Sequence, residues 1–197
     1  LYQMLDEAGQ KTARQMFLRL VTLNEGSEDT RRRARLDELL SLQGDEKIMQ
    51  KVVDLFGKYR LLTFDRDPVT RGSTVEVAHE ALLRVWERLR GWLETSREDV
   101  RMQRRLAEAA GEWQHAEQEA GFLMRESRLD QFAGWVATST VALTAAERAF
   151  LETSITAREA REAEEESRRQ QELETARKLA ETEHARAEEQ VAATQNL

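Results

Sequence analysis

A mainly α-helical fold with one small β-hairpin is predicted by three observations. Pro occurs once in 197 residues, where average usage would place about ten. Apolar side chains recur at helical spacing along most of the chain, on a background rich in the helix formers Glu, Arg, Ala and Leu. Only one stretch, around Pro68, changes to short, partly β-branched segments on either side of a polar loop. The organisation that follows is a first region over 1–95, a helical linker over 79–142 packing on it, and a long charged helix over 143–197.

The first region opens with Thr12–Leu23, where Met16, Phe17, Leu20, Val21 and Leu23 fall at helical spacing. A polar loop from Asn24 to Asp29 follows, dense in turn formers. A second helix carries Leu36, Leu39, Leu40 and Leu42 and ends at Gly44. Asp45 is placed to cap a third, whose apolar face is Ile48, Val52, Leu55, Phe56 and Tyr59. Arg60–Asp65 and Ser73–Ala78 then read as the arms of a hairpin at about 60–78, with Pro68 in its loop. Three helices followed by a hairpin is the order of a winged helix.

In the linker, Leu82, Val85, Trp86, Leu89, Trp92 and Leu93 form a helical apolar face. Ser96 with Asp99 has the spacing of a capping box. The next face is Met102, Leu106, Ala109, Ala110, Trp113 and Ala116, with a break at Gly121, and Leu129, Phe132, Trp135 and Val136 mark a shorter helix. Thr144 and Glu147 form a second capping-box pattern, after which Phe150, Leu151 and Ile155 still read as packing residues. Residues 157–190 hold 18 charged residues in 34 positions. Glu164 with Arg168, Glu165 with Arg169 and Glu174 with Lys178 are favourable i, i+4 pairs. The seam Leu173, Ala176, Ala180, Ala187 is interrupted by Glu183, so a solvated helix or a weak coiled coil is expected. At 1.5 Å per residue, a helix from 144 to 190 runs ~70 Å.

Composition excludes several classes of function. The absence of Cys removes disulfides, thiol nucleophiles and Cys-ligated metals. No apolar run reaches the length of a membrane span, and no signal peptide opens the sequence, so a cytoplasmic location is expected. Thirty basic against 37 acidic residues give a net charge of −7, a poor balance for a DNA-coating protein. His115 and His184 stand alone, without metal-ligand spacing, and no Ser–His–Asp or GxSxG arrangement is present. The four Trp residues lie on apolar helical faces and read as core anchors.

Several segments resemble one family. Val75-Glu76-Val77-Ala78-His79-Glu80-Ala81-Leu82-Leu83-Arg84-Val85-Trp86 is similar to a stretch of bacterial STAND NTPases, of the novel STAND type often joined to WD repeats. Ala13–Val21, Glu28–Arg33, Tyr59–Leu62, Arg104–Trp113, Leu123–Leu129 and Leu143–Leu151 agree in order and spacing, so the resemblance spans roughly 2–165. It implies the winged-helix and helical segment that follows the NTPase domain. The resemblance also implies a phosphate-cradling GxxxxGK[ST] motif upstream; no such motif occurs in this sequence. This segment would then have no catalysis or cofactor of its own. ADP or ATP would bind the full-length protein, and the NTPase domain of the same chain would be the main partner. The resemblance further implies signal transduction, self-association on activation and antiviral defence.

Two groups of side chains are the candidate site residues. His79 follows the second hairpin arm, at a position similar to the Met-His-Asp motif of related STAND proteins. There the histidine reaches the β-phosphate of ADP. Here Ala78 and Glu80 replace the flanking Met and Asp. An imidazole N–H is a suitable phosphate donor; the alternative is that His79 and Glu80 only cap and pack the junction. Arg31, Arg32, Arg33 and Arg35 form the densest basic cluster. It reads as a nucleic-acid contact, a contact to the acidic surface of an NTPase domain, or a solvated junction balanced by Glu28 and Asp29. The third helix carries Asp45, Glu46 and Asp54 against Lys47, Lys51 and Lys58, which disfavours DNA. Two other functions remain open: a DNA-binding winged-helix regulator with a helical dimerisation tail, and a coiled-coil adaptor.

Overall fold

Asp6 starts the first helix, its carboxylate accepting from the Gly9 N–H at 2.8 Å. In the computed structural model, which describes residues 1–24, 28–42 and 44–195, helix α1 spans Glu7–Arg19. It buries Ala13, Met16, Phe17 and Leu18. The expected continuation to Leu23 does not occur. Val21–Thr22 forms a short strand, β1, paired antiparallel with β2, Thr30–Arg31. β-branched residues favour that extended conformation, and the Arg32 N–H donates to the Leu20 carbonyl at 2.8 Å to close the pair. The polar turn between them lies outside the described residues at 25–27.

Strand β3, Ala34–Arg35, leads directly into α2, Leu36–Leu40. The helix stops at Leu40 rather than at Gly44, whose φ of 142° instead supplies a turn that L residues rarely adopt. Helix α3, Glu46–Lys58, begins as expected, with the Asp45 carboxylate accepting from the Lys47 N–H. Its buried face is Met49, Val52, Val53 and Phe56. Tyr59 lies beyond the helix and is 52% exposed, contrary to its place on the expected face.

The hairpin forms where the sequence places it. Strands β4, Leu62–Arg66, and β5, Ser73–Val77, pair in register from Leu62 opposite Val77 to Arg66 opposite Ser73. Strand β3 adds to the free edge of β5, giving the antiparallel order β3-β5-β4. Leu62, Val75 and Val77 face the helices and are buried, so one face of the sheet closes the core.

The expected single helix after the hairpin is two: α4, Ala81–Val85, and α5, Glu87–Thr95. Trp86, with ψ of 94°, breaks it. The break lets the indole sit edge-on to Phe17 and Trp92, at centroid separations of 5.0 and 5.5 Å, and it leaves Val85 77% exposed. Helix α6 spans Arg97–His115 without the expected capping box. Ser96 Oγ accepts from Arg14 instead, and Asp99 accepts from the Trp135 indole N–H. The helix ends before Gly121, because Glu117 and Gln118 take left-handed backbone conformations. Helix α7 covers Glu126–Thr138, and α8 covers Ala145–Gln195.

Residues Leu1–Thr153 make one compact unit. Its core joins α1, α3, α5 and the sheet around Phe17 and Phe56, whose rings meet edge-on at 5.0 Å. Leu106, Trp113, Leu129, Phe132 and Phe150 are buried as well, with Trp113 against Phe150. The second unit begins at Ser154. Every side chain from 162 to 187 is exposed, Leu173 and Leu179 included. Glu174 pairs with Lys178 as expected. Arg168 and Arg169 pair with Glu172 and Glu166 instead of Glu164 and Glu165.

Candidate functional site

His79 lies between β5 and α4, exposed, and its side chain makes no hydrogen bond among the described residues. The backbone beneath it is tightly held. The Ala78 N–H donates to the Leu61 carbonyl at 3.0 Å, and the His79 carbonyl accepts from the Leu82 N–H at 2.9 Å. Arg31 Nη1 donates to the carbonyls of Val77 and Ala78, at 3.2 and 3.3 Å. The two groups nominated from sequence thus meet at one point, where an arginine fixes the main chain that presents the imidazole.

The rest of the arginine cluster is engaged within the fold. Its residues alternate along β2, the intervening pair and β3, so they point to different places. Arg32 forms a two-pronged pair with Glu38, at 2.9 Å for each contact. Arg33 reaches Asp65 and Glu76, and Arg35 pairs with Asp37. Four guanidiniums committed to carboxylates and carbonyls of the same unit do not form a continuous phosphate-facing stripe. Arg31 and Arg35 lie on two short strands, with Arg32 and Arg33 between them.

A buried polar centre lies close by. Arg19 and Glu147 are 2% and 3% exposed. Both guanidinium Nη atoms donate to the Glu147 carboxylate at 2.7 Å, and Arg19 Nη2 also donates to the Ala142 carbonyl. Gln103 donates to Glu147 at 2.8 Å. The capping box forms in both directions: the Thr144 N–H donates to Glu147 at 2.9 Å, and Thr144 Oγ1 accepts from the Glu147 N–H at 3.2 Å. Burial alone would raise the Glu147 carboxyl. The hydrogen bonds and charge of Arg19, with Thr144 and Gln103, outweigh burial and hold it below the ordinary value. Glu38, bound to Arg32, lies 3.7 Å from Arg19. Arg104 Nη2 donates to the Arg19 and Val21 carbonyls at 2.9 and 3.0 Å.

Sequence reasoning missed this centre, although a signal was present. Arg19 interrupts the apolar run Met16-Phe17-Leu18-Arg19-Leu20-Val21, and a charge inside such a run requires a buried partner. Glu147 was visible only as a cap.

Among the described residues there is no cluster of His, Asp and Glu suited to a metal, and no helix is long and apolar enough to cross a membrane. The family model described as Novel STAND NTPase 1 matches residues 1–121. No curated protein matches the chain. No solved structure matches it either.

Proposed function

Because this chain belongs to the novel STAND NTPase 1 family, we propose that it is the regulatory segment coupling nucleotide state to conformational switching in a signalling ATPase. In this reading α1–α3 with the β3-β5-β4 sheet form a winged helix that docks on the NTPase domain of the same chain. The observation that carries the reading is His79: exposed, without a side-chain partner among the described residues, on a backbone clamped by Arg31.

A nucleotide fits this segment at one point. The imidazole offers one N–H donor to a phosphate oxygen, and no glycine-rich phosphate loop occurs in the sequence. The phosphate cradle, and hydrolysis with it, would belong to the NTPase domain. Bound ADP would supply the anionic acceptor, and the residues of this chain would do the positioning. Arg31 holds the Val77 and Ala78 carbonyls, and β5 and α4 anchor the two sides of the junction. Release of the contact would free the winged helix, and self-association would follow from the surface exposed.

The test is ADP dissociation from the full-length protein. His79→Ala is expected to speed release about tenfold or more, the loss of one hydrogen bond to a charged acceptor being worth about 1.5–3 kcal/mol. An unchanged off-rate together with unchanged basal activity would overturn the phosphate contact. A DNA-reading function finds no support in the arginine cluster, whose members are all engaged within the fold.

A further inference from the structure

The buried polar centre carries an excess of positive charge. Three guanidiniums, Arg19, Arg32 and Arg104, gather around two carboxylates, Glu38 and Glu147. Arg19 and Arg32 each have a carboxylate partner, whereas among the described residues Arg104 donates only to main-chain carbonyls. Its Nη1 is sealed from solvent and has no acceptor. Burial, together with the charges of Arg32 and Arg19, pulls Arg104 down to about 9, so it remains cationic at neutral pH. Glu38 and Glu147 offset that charge only in part, and a buried polar atom left unsatisfied, as Arg104 Nη1 is, calls for a reason.

Arg104 lines a cavity of about 580 Å³ bordered by α6 and by Thr22, Leu23 and Arg32. That volume lies within the ordinary range of small-molecule sites, about 300–1,000 Å³. Its charged lining is Arg32, Arg101, Arg104 and Arg105 against Glu98 and Glu108. Glu98 is taken up by Arg101, and Arg105 has no partner among the described residues. Arg101, Arg104, Arg105 and Glu108 all come from α6, where spacings of three and four residues place Arg101, Arg104, Arg105 and Glu108 on one face. Planar guanidiniums on such a face match the oxygens of a phosphate group better than point charges would.

We propose that this cavity is an oxyanion site that takes the phosphate group of a small molecule, balancing the excess of Arg32, Arg101, Arg104 and Arg105 over Glu98 and Glu108 in its lining. The ligand is either free phosphate or a phosphorylated compound. The site is separate from His79, which is not among its lining residues.

The experiment is calorimetric titration of the 197-residue chain at low ionic strength with inorganic phosphate and with pyrophosphate. Saturable binding below about 1 mM is expected for at least one of them, the range that a few charge-assisted contacts support. Arg105→Ala and Arg101→Ala remove cavity charges without touching the buried centre. Each should weaken binding about fivefold or more through a lost phosphate contact, with an unchanged melting temperature. Arg177→Ala in α8 changes net charge equally and should leave affinity as it was. No saturable heat up to about 10 mM, a smaller loss in both cavity variants, or an equal loss in Arg177→Ala would overturn the site. Stronger binding of pyrophosphate than of phosphate would assign a phosphorylated compound, and the reverse order would assign free phosphate.

Discussion

The two units of the molecule use the same residue types for opposite ends. Among the described residues of Leu1–Thr153 one Arg and one Glu side chain, Arg19 and Glu147, are buried, and their geometry is specific. Arg19 satisfies Glu147 with two short bonds, while Gln103 and Thr144 complete the carboxylate. From Ser154 onward the same residues lie on the surface of one helix, in i, i+3 and i, i+4 pairs such as Arg177 with Glu181 and Lys178 with Glu174. Burial decides what a charge contributes. A buried pair fixes one arrangement because breaking it strands an ion in a dry interior. An exposed pair adds a few tenths of a kcal/mol and is screened by salt.

The largest expected effect breaks the buried pair. Glu147→Gln should destabilise the chain by about 3–5 kcal/mol in denaturant unfolding, because Arg19 is left uncompensated. The double change Arg19→Met with Glu147→Leu should recover much of that loss, since both buried charges then disappear. A double variant no more stable than Glu147→Gln would show that the pair does not act as a unit. Core truncation by Leu89→Ala should cost about 2–5 kcal/mol, the range for emptying a fully buried Leu site.

A pH titration sharpens the same contrast. The Glu147 carboxyl lies below its ordinary value of 4.5 in the folded protein. Its stabilising contribution is therefore complete above the unfolded value and is lost as pH falls through the folded one. Thermal stability of the wild-type chain should decline below pH 4.5, and the decline should be shallower in Glu147→Gln. Parallel profiles would remove Glu147 as the acid-sensitive group.

Smaller effects follow outward. Thr144→Ala, which deletes one cap bond, should cost about 1 kcal/mol. At the exposed end of the scale, Arg177→Ala should change unit stability by no more than about 0.5 kcal/mol. A loss as large as that of Thr144→Ala would mean that exposed pairs matter far more than their setting allows.

Much of this fold was legible because the signals were local. The β4–β5 hairpin, the Asp45 cap and the Thr144–Glu147 capping box each follow from neighbouring residues. What was missed depends on contacts distant in sequence. Val21–Thr22 leaves the helical pattern because Thr30–Arg31 is there to pair with it. The helix after the hairpin breaks at Trp86 because Phe17 and Trp92 hold the indole. Ser96 does not cap α6 because Arg14, from another helix, takes its hydroxyl. The site divides in the same way. His79 was nominated from a contiguous motif, but the contact of Arg31 with the main chain beside it requires the β2 strand to lie near the end of β5. The Arg19–Glu147 pair joins positions 128 residues apart, beyond the reach of any local pattern.

If the hairpin-to-α4 junction senses the nucleotide as proposed, hydrogen exchange on the full-length protein will differ between ADP and a non-hydrolysable ATP analogue. Slower exchange over residues 73–85 with ADP than with the analogue, abolished by His79→Ala, is the expected result. Equal exchange in the two nucleotide states would contradict it.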